Sequence, residues 1–196
     1  MLKRSFDIFF SLLGLLVLMP FFIIVSICII IDSRGGIFYR QERVGKEGQL
    51  FGLLKFRSMR TNADKAGLLT VGGRDSRITR VGYYIRRYKI DEFPQLLNVL
   101  AGDMSLVGPR PEVKKYVDLY TQEQRKVLSV RPGITDYASI EYSRENELLA
   151  RAADPEKTYI EEIMPAKLQL NMKYIREKSI VTDLRIIFRT LGKIIG

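Results

Sequence analysis

The run IFFSLLGLLVLMPFFIIVSICIII, residues 8–31, decides the architecture of this chain. Its only interruptions are Ser11, Gly14, Pro20 and Ser26, and none carries a charge. About twenty such residues in a helix are enough to cross the hydrocarbon of a bilayer. The segment therefore belongs in a membrane. It lacks the small-residue cleavage pattern of a secretory signal and is long for a signal core, so it is expected to be retained. Whether it crosses depends on Pro20 and on the flanks. Pro20 sits at the midpoint, where it removes a helix hydrogen bond and crowds the preceding turn, so a kink or break is expected there. Lys3 and Arg4 precede the run, and Arg34, Arg40, Arg43 and Lys46 follow it. Basic flanks prefer the cytoplasmic side. A helix that enters, bends at Pro20 and returns keeps both flanks inside. A straight pass with a tolerated proline is the other reading, and the residues alone leave both open.

The whole chain of 196 residues is long enough for one proper core and short for two, so a membrane segment over residues 1–35 and one domain over 36–196 are expected. Cys28 is the only cysteine and lies inside the apolar run, so nothing points to an oxidising compartment. There is no histidine, which excludes Ser-His and Cys-His chemistry and leaves carboxylates, lysines, arginines or a metal. A net charge of +10 favours an anionic partner: nucleic acid, lipid headgroups or a phosphorylated substrate.

Two strand-like stretches, residues 37–44 and 49–59, flank the Gly45-Lys46-Glu47-Gly48 turn signal and read as a hairpin. Residues 61–77 read as a polar loop. Ile78, Val81, Ile85 and Tyr88 recur at helical spacing, as do Phe93, Leu96, Leu97 and Leu100, with Gly102 as a stop. Residues 112–130 read as mostly helical and 131–136 as a turn. Residues 141–153 read as partly helical, and 156–178 as a helix interrupted by Pro165. The last segment, 181–195, puts Leu184, Ile187, Phe188, Leu191, Ile194 and Ile195 on one face and Arg185, Arg189 and Lys193 along another. Such a basic amphipathic helix suits a bilayer surface, and packing on the domain core is the plainer alternative.

Between residues 74 and 89 stand Arg74, Arg77, Arg80, Arg86, Arg87 and Lys89 against one acid, Asp75, and they lead into Asp91-Glu92-Phe93-Pro94-Gln95. Asp91 is placed to cap the helix that follows, with Pro94 in its first turn. Carboxylates there are usually structural, but cations beside a helix start also make a natural phosphate site. An ionised aspartate needs no base to attack phosphorus, and the mixed anhydride formed can be opened by a second acceptor. A magnesium ion held by Asp91 and Glu92 would neutralise the phosphates. Adjacent residues on a helix point about 100° apart, so the two carboxylates receive different tasks. Gly102-Asp103-Met104-Ser105, Gly108-Pro109-Arg110-Pro111 and Arg131-Pro132-Gly133 read separately as turns.

Together these stretches resemble the bacterial sugar transferase family, the monotopic polyprenyl-phosphate phosphoglycosyl transferases, in their minimal catalytic form. The resemblance rests on Lys55-Phe56-Arg57-Ser58-Met59, on residues 91–100, on 102–111 and on Arg131-Pro132-Gly133-Ile134-Thr135, in matching order and spacing. It implies an α+β, mostly helical fold with an N-terminal re-entrant membrane helix bent at Pro20, a small β-hairpin, short helices around the active site and amphipathic interfacial helices. It implies a catalytic domain over 36–196 at the cytoplasmic face of the bacterial inner membrane. Asp91 would attack the β-phosphate of a UDP-sugar, release UMP and hold the sugar phosphate until polyprenol (undecaprenyl) phosphate accepts it. Glu92 would assist with Mg2+ or proton transfer. Arg86, Arg110 and Arg131, with Lys55 and Arg57, would hold phosphates. The partners implied are the UDP-sugar, the polyprenol phosphate and an anionic phospholipid membrane, with no nucleic acid and with a homodimer left open. Two departures stand out: many members have Ser-Pro where this chain has Met19-Pro20, and a Gly-Leu-Ala-Gln-Val type stretch where it has Asp136-Tyr137-Ala138-Ser139-Ile140. A non-catalytic membrane-associated scaffold of a glycan assembly complex is the alternative function. A membrane-tethered nucleic-acid binder is disfavoured because the basic residues follow no recognition motif.

Overall fold

A computed structural model describes residues 2–61, 63 and 75–195. Arg74 and most of the expected 61–77 loop lie outside them. The apolar run forms one helix, α1 (Leu2–Asp32). The helix is not ended at Pro20, where a kink or break was expected; one missing N–H is absorbed within a helix of 31 residues. The hairpin has the expected form. Strands β1 (Phe38–Val44) and β2 (Leu50–Phe56) pair antiparallel from Phe38↔Phe56 to Val44↔Leu50. The turn between them puts Glu47 and Gly48 at positive φ, which glycine accepts freely at the second position.

Helix α2 (Arg80–Arg87) starts at Thr79, whose side chain accepts from the Gly82 N–H. Helix α3 (Gln95–Ala101) ends on Gly102 at φ 98°, the left-handed stop that glycine supplies. The two glycine-proline stretches expected as turns instead contain strands, β3 (Ser105–Val107) and β4 (Gly133–Thr135), paired parallel. Gly108 and Gly133 cross so closely that a Cβ on Gly133 would lie 2.0 Å from the Gly108 nitrogen.

Residues 112–130 are not mostly helical. They hold only α4 (Lys114–Val117) and a 3-10 turn at Gln124–Ser129. The chain restarts at Thr121, where the Thr121 N–H donates to Gln124 Oε1 (2.8 Å) and the Gln124 N–H to Thr121 Oγ1 (3.2 Å), a reciprocal cap that begins a new turn. After β4 come α5 (Tyr137–Glu141), α6 (Glu145–Arg151) and α7 (Pro155–Thr158). A π-helical turn at Tyr159–Ile163 leads into α8 (Met164–Glu177). This wider turn precedes Pro165, which lacks an N–H, and so the helix is modulated there rather than ended. Val113, Tyr116, Val127, Leu149, Tyr159 and Leu168 form the core of this half.

Helix α9 (Ile180–Ile195) turns Thr182, Asp183 and Ile186 inward. Val181, Phe188 and Leu191 face outward, with Phe188 69% exposed, beside exposed Arg185, Arg189 and Lys193. The apolar stripe is therefore split: Ile187 packs against Val107, Tyr174 and Ile186, while Phe188 and Leu191 stay exposed.

α1 is docked on the domain along its length, antiparallel to residues 81–100. Near its start, Arg4 donates to the carbonyls of Val99 (2.6 Å) and Leu100 (3.1 Å). A Cβ on Gly14 would lie 3.3 Å from Leu96, and the Phe21 and Phe93 ring centroids are 6.4 Å apart. Val25 and Ile29 are buried with Phe56 and Ile85, and Asp32 accepts from the Val81 N–H at 2.9 Å. The opposite side of α1 is apolar and exposed, including Leu16, Val17, Ile23, Ile24 and Ile27.

Candidate active site

Asp91 and Glu92 do not sit on a helix. Lys89 takes the left-handed conformation (φ 57°), and the chain tightens into a 3-10 turn, Ile90–Glu92, before α3 begins at Gln95. Pro94 occupies the position before the helix and no side chain caps it, so the expected capping role of Asp91 is corrected: the inserted turn carries it away from the α3 N–H groups. Both carboxylates are buried, and their surroundings differ.

Glu92 is held by three cationic contacts. Arg110 grips it with both terminal nitrogens, Nη1 to Oε2 at 3.1 Å and Nη2 to Oε1, and Lys55 Nζ stands 3.8 Å from Oε1. Burial alone would raise the Glu92 pKa, but the guanidinium of Arg110 and the ammonium of Lys55 outweigh it and hold Glu92 well below the carboxylate range. Arg110 is raised in turn, chiefly by Glu92. Lys55 is lowered to about 8, because burial disfavours its ammonium more than Glu92 favours it. Among the described residues, Asp91 enters no ion pair and accepts no hydrogen bond. Burial pushes its pKa up, and the positive potential of Lys55, Arg86 and Lys89 only partly offsets this. The turn therefore presents one carboxylate that is tied down and one that is uncommitted.

Each partner is placed by a distinct element. Lys55 lies near the end of β2. Asn98 on α3 fastens that strand, accepting from the Leu54 N–H (2.9 Å) and donating to the Gly52 carbonyl (2.9 Å). Arg110 follows β3 and the Gly108 crossing. Its backbone N–H donates to Asp136 at 3.1 Å, and the other Asp136 oxygen caps α5 through the Ser139 N–H at 2.6 Å. Neither Asn98 nor Asp136 was singled out from sequence for the site; Asp136 ahead of a short helical stretch is a cap signal, and nothing in it names Arg110. Arg86, half-buried on α2, reaches Ser58 Oγ at 3.5 Å.

Two further expected phosphate ligands make hydrogen bonds to backbone carbonyls. Arg57 donates to the carbonyls of Ile29 (3.3 Å), Ser33 (2.6 Å) and Arg34, closing the C-terminal end of α1. Arg131 donates to the Gly102 carbonyl at 2.7 Å, at the end of α3 away from Asp91. Pro20 precedes Phe21, whose ring meets that of Phe93, one residue beyond Glu92.

Among the described residues, no group of three or more carboxylate or thiolate side chains converges as a metal cage. With Glu92 saturated by cations, Asp91 is the carboxylate free to take a metal. Lys55, Arg86, Lys89 and Arg110 surround Asp91 and Glu92, four cations against two carboxylates, so the site is positive toward a diphosphate. The set fits an Mg2+ that brings substrate oxygens and water as most of its ligands.

A family model described as bacterial sugar transferase matches residues 1–196. The chain is 39% identical, over 97% of its length, to the exopolysaccharide production protein PSS of Rhizobium leguminosarum bv. phaseoli. It is 39% identical over 97% of its length to the undecaprenyl-phosphate glucose phosphotransferase of Komagataeibacter xylinus. It is 36% identical over 99% to the UDP-N-acetylgalactosamine-undecaprenyl-phosphate N-acetylgalactosaminephosphotransferase of Aeromonas hydrophila. It spans 93%, 35% and 44% of those proteins respectively.

Proposed function

The chain belongs to the bacterial sugar transferase family, and from that premise we propose that it moves a sugar 1-phosphate from a UDP-sugar to undecaprenyl phosphate. The observation that carries this reading is the buried, uncommitted Asp91 beside a Glu92 locked by Arg110 and Lys55. An Asp91 oxygen attacks the β-phosphorus of the donor; the bond from that phosphorus to the bridging oxygen breaks, and UMP leaves. A phosphate oxygen of the lipid then attacks the same phosphorus and frees Asp91, leaving a polyprenyl diphosphate sugar. Glu92 does not attack; it holds Arg110 and Lys55 where they meet charge on the transferring phosphate. Asp91 would be the protein ligand of an Mg2+ that bound with the diphosphate, which would add positive charge beside the transferring phosphate. The related proteins name both glucose and N-acetylgalactosamine, so the donor stays unassigned.

Docking of both ends of α1 on the domain supports a monotopic placement, and the basic residues flanking α1 support the cytoplasmic face. If α1 crossed the bilayer, the domain would have to reach the carbonyls at residues 99–100 and the Val81 N–H from opposite sides. The proposal is tested with purified protein in nanodiscs, undecaprenyl phosphate, Mg2+ and a panel of UDP-sugars. UMP release with one sugar, lost on adding EDTA, is the expected result; no release from folded, membrane-bound protein would put the scaffold reading in its place.

Activity should rise with pH through the raised pKa of Asp91, which must be ionised to attack, and fall above about pH 8 as Lys55 loses its proton. Lys55→Arg keeps its charge and should move the alkaline limb upward in a kcat/KM profile; an unmoved limb would assign it to another group. Asp136→Ser retains a cap for α5 but offers only one oxygen. It should lower kcat on the order of tenfold to a hundredfold through a displaced Arg110. Stability should fall by about 1 kcal/mol, the value of one hydrogen bond. Unchanged kcat in Asp136→Ser would show that Arg110 is placed without it.

A further inference from the structure

Two cations meet on Glu92, and they arrive from different elements: Lys55 from β2, Arg110 from the segment after β3. Their meeting depends on how the hairpin is held against that segment. The hairpin register sets Tyr39 opposite Lys55, Gln41 opposite Leu53 and Arg43 opposite Phe51. Side chains alternate along a strand, so Lys55, Gln41 and Arg43 share one face. At one end of that face Lys55 reaches Glu92. At the other end Arg43 reaches a second carboxylate, Glu112, two residues beyond Arg110.

Every oxygen of Glu112 is engaged. Oε1 accepts from Arg43 Nη1 (3.0 Å) and from the Val113 N–H (2.9 Å), and Oε2 accepts from the Tyr159 hydroxyl at the start of the π-helical turn. Its backbone carbonyl accepts from the Val44 N–H at 2.9 Å. Arg43 is fixed in turn. Its Nη1 also donates to the Pro111 carbonyl (3.0 Å), and its Nε and Nη2 donate to Gln41 Oε1 at 3.2 and 2.7 Å. The Arg43 and Glu112 side chains are each 17% exposed, so the pair is largely shielded from water. The backbone between Glu112 and Arg110 is stiff as well. Pro109 and Pro111 flank Arg110; each ring locks its own φ, and Pro111 restricts the residue before it to extended backbone. A shift at residue 112 is therefore carried to Arg110 rather than absorbed on the way.

We propose that Glu112 is a positioning residue for the transfer reaction: it clamps the Arg43 end of the hairpin to the segment carrying Arg110, and so sets the spacing at which Lys55 and Arg110 converge on Glu92. This rests on the function proposed above. Glu112 touches no substrate; it acts through Arg110, with Arg43 and Tyr159 as the other two members of the clamp.

The wild-type chain, Glu112→Gln, Arg110→Ala and the double variant are compared in UMP release from a radiolabelled UDP-sugar, with unfolding midpoints measured beside the rates. Glu112→Gln is expected to lower kcat roughly tenfold, the cost of a small misplacement, while KM for the donor changes little. In the Arg110→Ala background the same substitution should leave kcat unchanged although its effect on the midpoint persists. A positioning effect vanishes with the group it positions, and a structural one does not. Arg43→Lys keeps the charge but cannot serve Gln41, Pro111 and Glu112 together, and it should lower kcat in the same manner. With Tyr159→Phe it carries the test if Glu112→Gln does not fold. An equal loss of kcat in both Arg110 backgrounds overturns the proposal and leaves Glu112 a stabilising contact only. Wild-type kcat in both Glu112→Gln and Arg43→Lys also overturns it, with Asp91 as nucleophile untouched. If the wild-type chain releases no UMP, the proposed function and this clamp fall together.

Discussion

Asp91→Asn is expected to abolish UMP release while leaving a protein that melts at or above the wild-type temperature. The two effects share one cause. Asp91 is buried, forms no ion pair among the described residues, and has its pKa raised by burial, so the folded state holds its proton more tightly than the unfolded chain does. Between the unfolded and the raised folded pKa the native protein binds more protons, so its stability falls as pH rises through that window. Asparagine keeps the shape and removes that penalty, as commonly happens when a functional site is neutralised. Loss of an attacking group costs on the order of 10^4-fold or more in turnover. Rates of UMP release and thermal unfolding in the same detergent check both halves. An Asp91→Asn variant that turned over near wild-type rates would remove Asp91 as the nucleophile.

Arg110→Ala is expected to act in the opposite sense on stability. It leaves the buried Glu92 carboxylate with Lys55 alone. Breaking a fully buried pair costs about 3–5 kcal/mol, and because the Arg110 side chain is 30% exposed, about 2–3 kcal/mol is expected here. Neutralising both partners, Glu92→Gln with Arg110→Gln, should recover part of that loss, since only Lys55 is left without its carboxylate, yet should not recover activity. Unfolding midpoints of the two single variants and the double variant measure the coupling. A double variant as unstable as the sum of the singles would mean that the pair contributes independently.

Much of this was legible where the pattern is local. The hairpin was marked by the turn at residues 45–48, and α2 and α3 by apolar spacing. Even so, α3 buries Gln95, Asn98 and Val99 and leaves Leu97 exposed. Apolar spacing finds a helix by assuming water on its far side, and here Asn98 is drawn inward by the backbone of β2. The parallel pairing of β3 with β4 joins residues far apart in sequence through backbone groups, which leave little trace in side-chain type. Arg57 and Arg131 show a further limit. A guanidinium fork suits a phosphate, and it suits equally the partly negative carbonyl end of a helix. In the site, the pairing of Asp91 with Glu92 was visible, but the contrast between them required Lys55 from β2 and Arg110 from the segment after β3.

Lys3 donates to Asp183 at 2.5 Å and to the Val107 carbonyl at 3.2 Å, and Tyr174 donates to the same aspartate at 2.8 Å. The first turn of α1 is thus fastened to a residue 180 positions later in the chain. Closing so long a loop makes this bond late as well as local to no single element. While the ribosome works through the intervening segments, α1 waits without this clasp, held by its apolar side and by Arg4 and Asp32. A chain interrupted before Asp183 would leave Lys3 with only Asp7 and the Val107 carbonyl, a mark by which unfinished copies differ from finished ones.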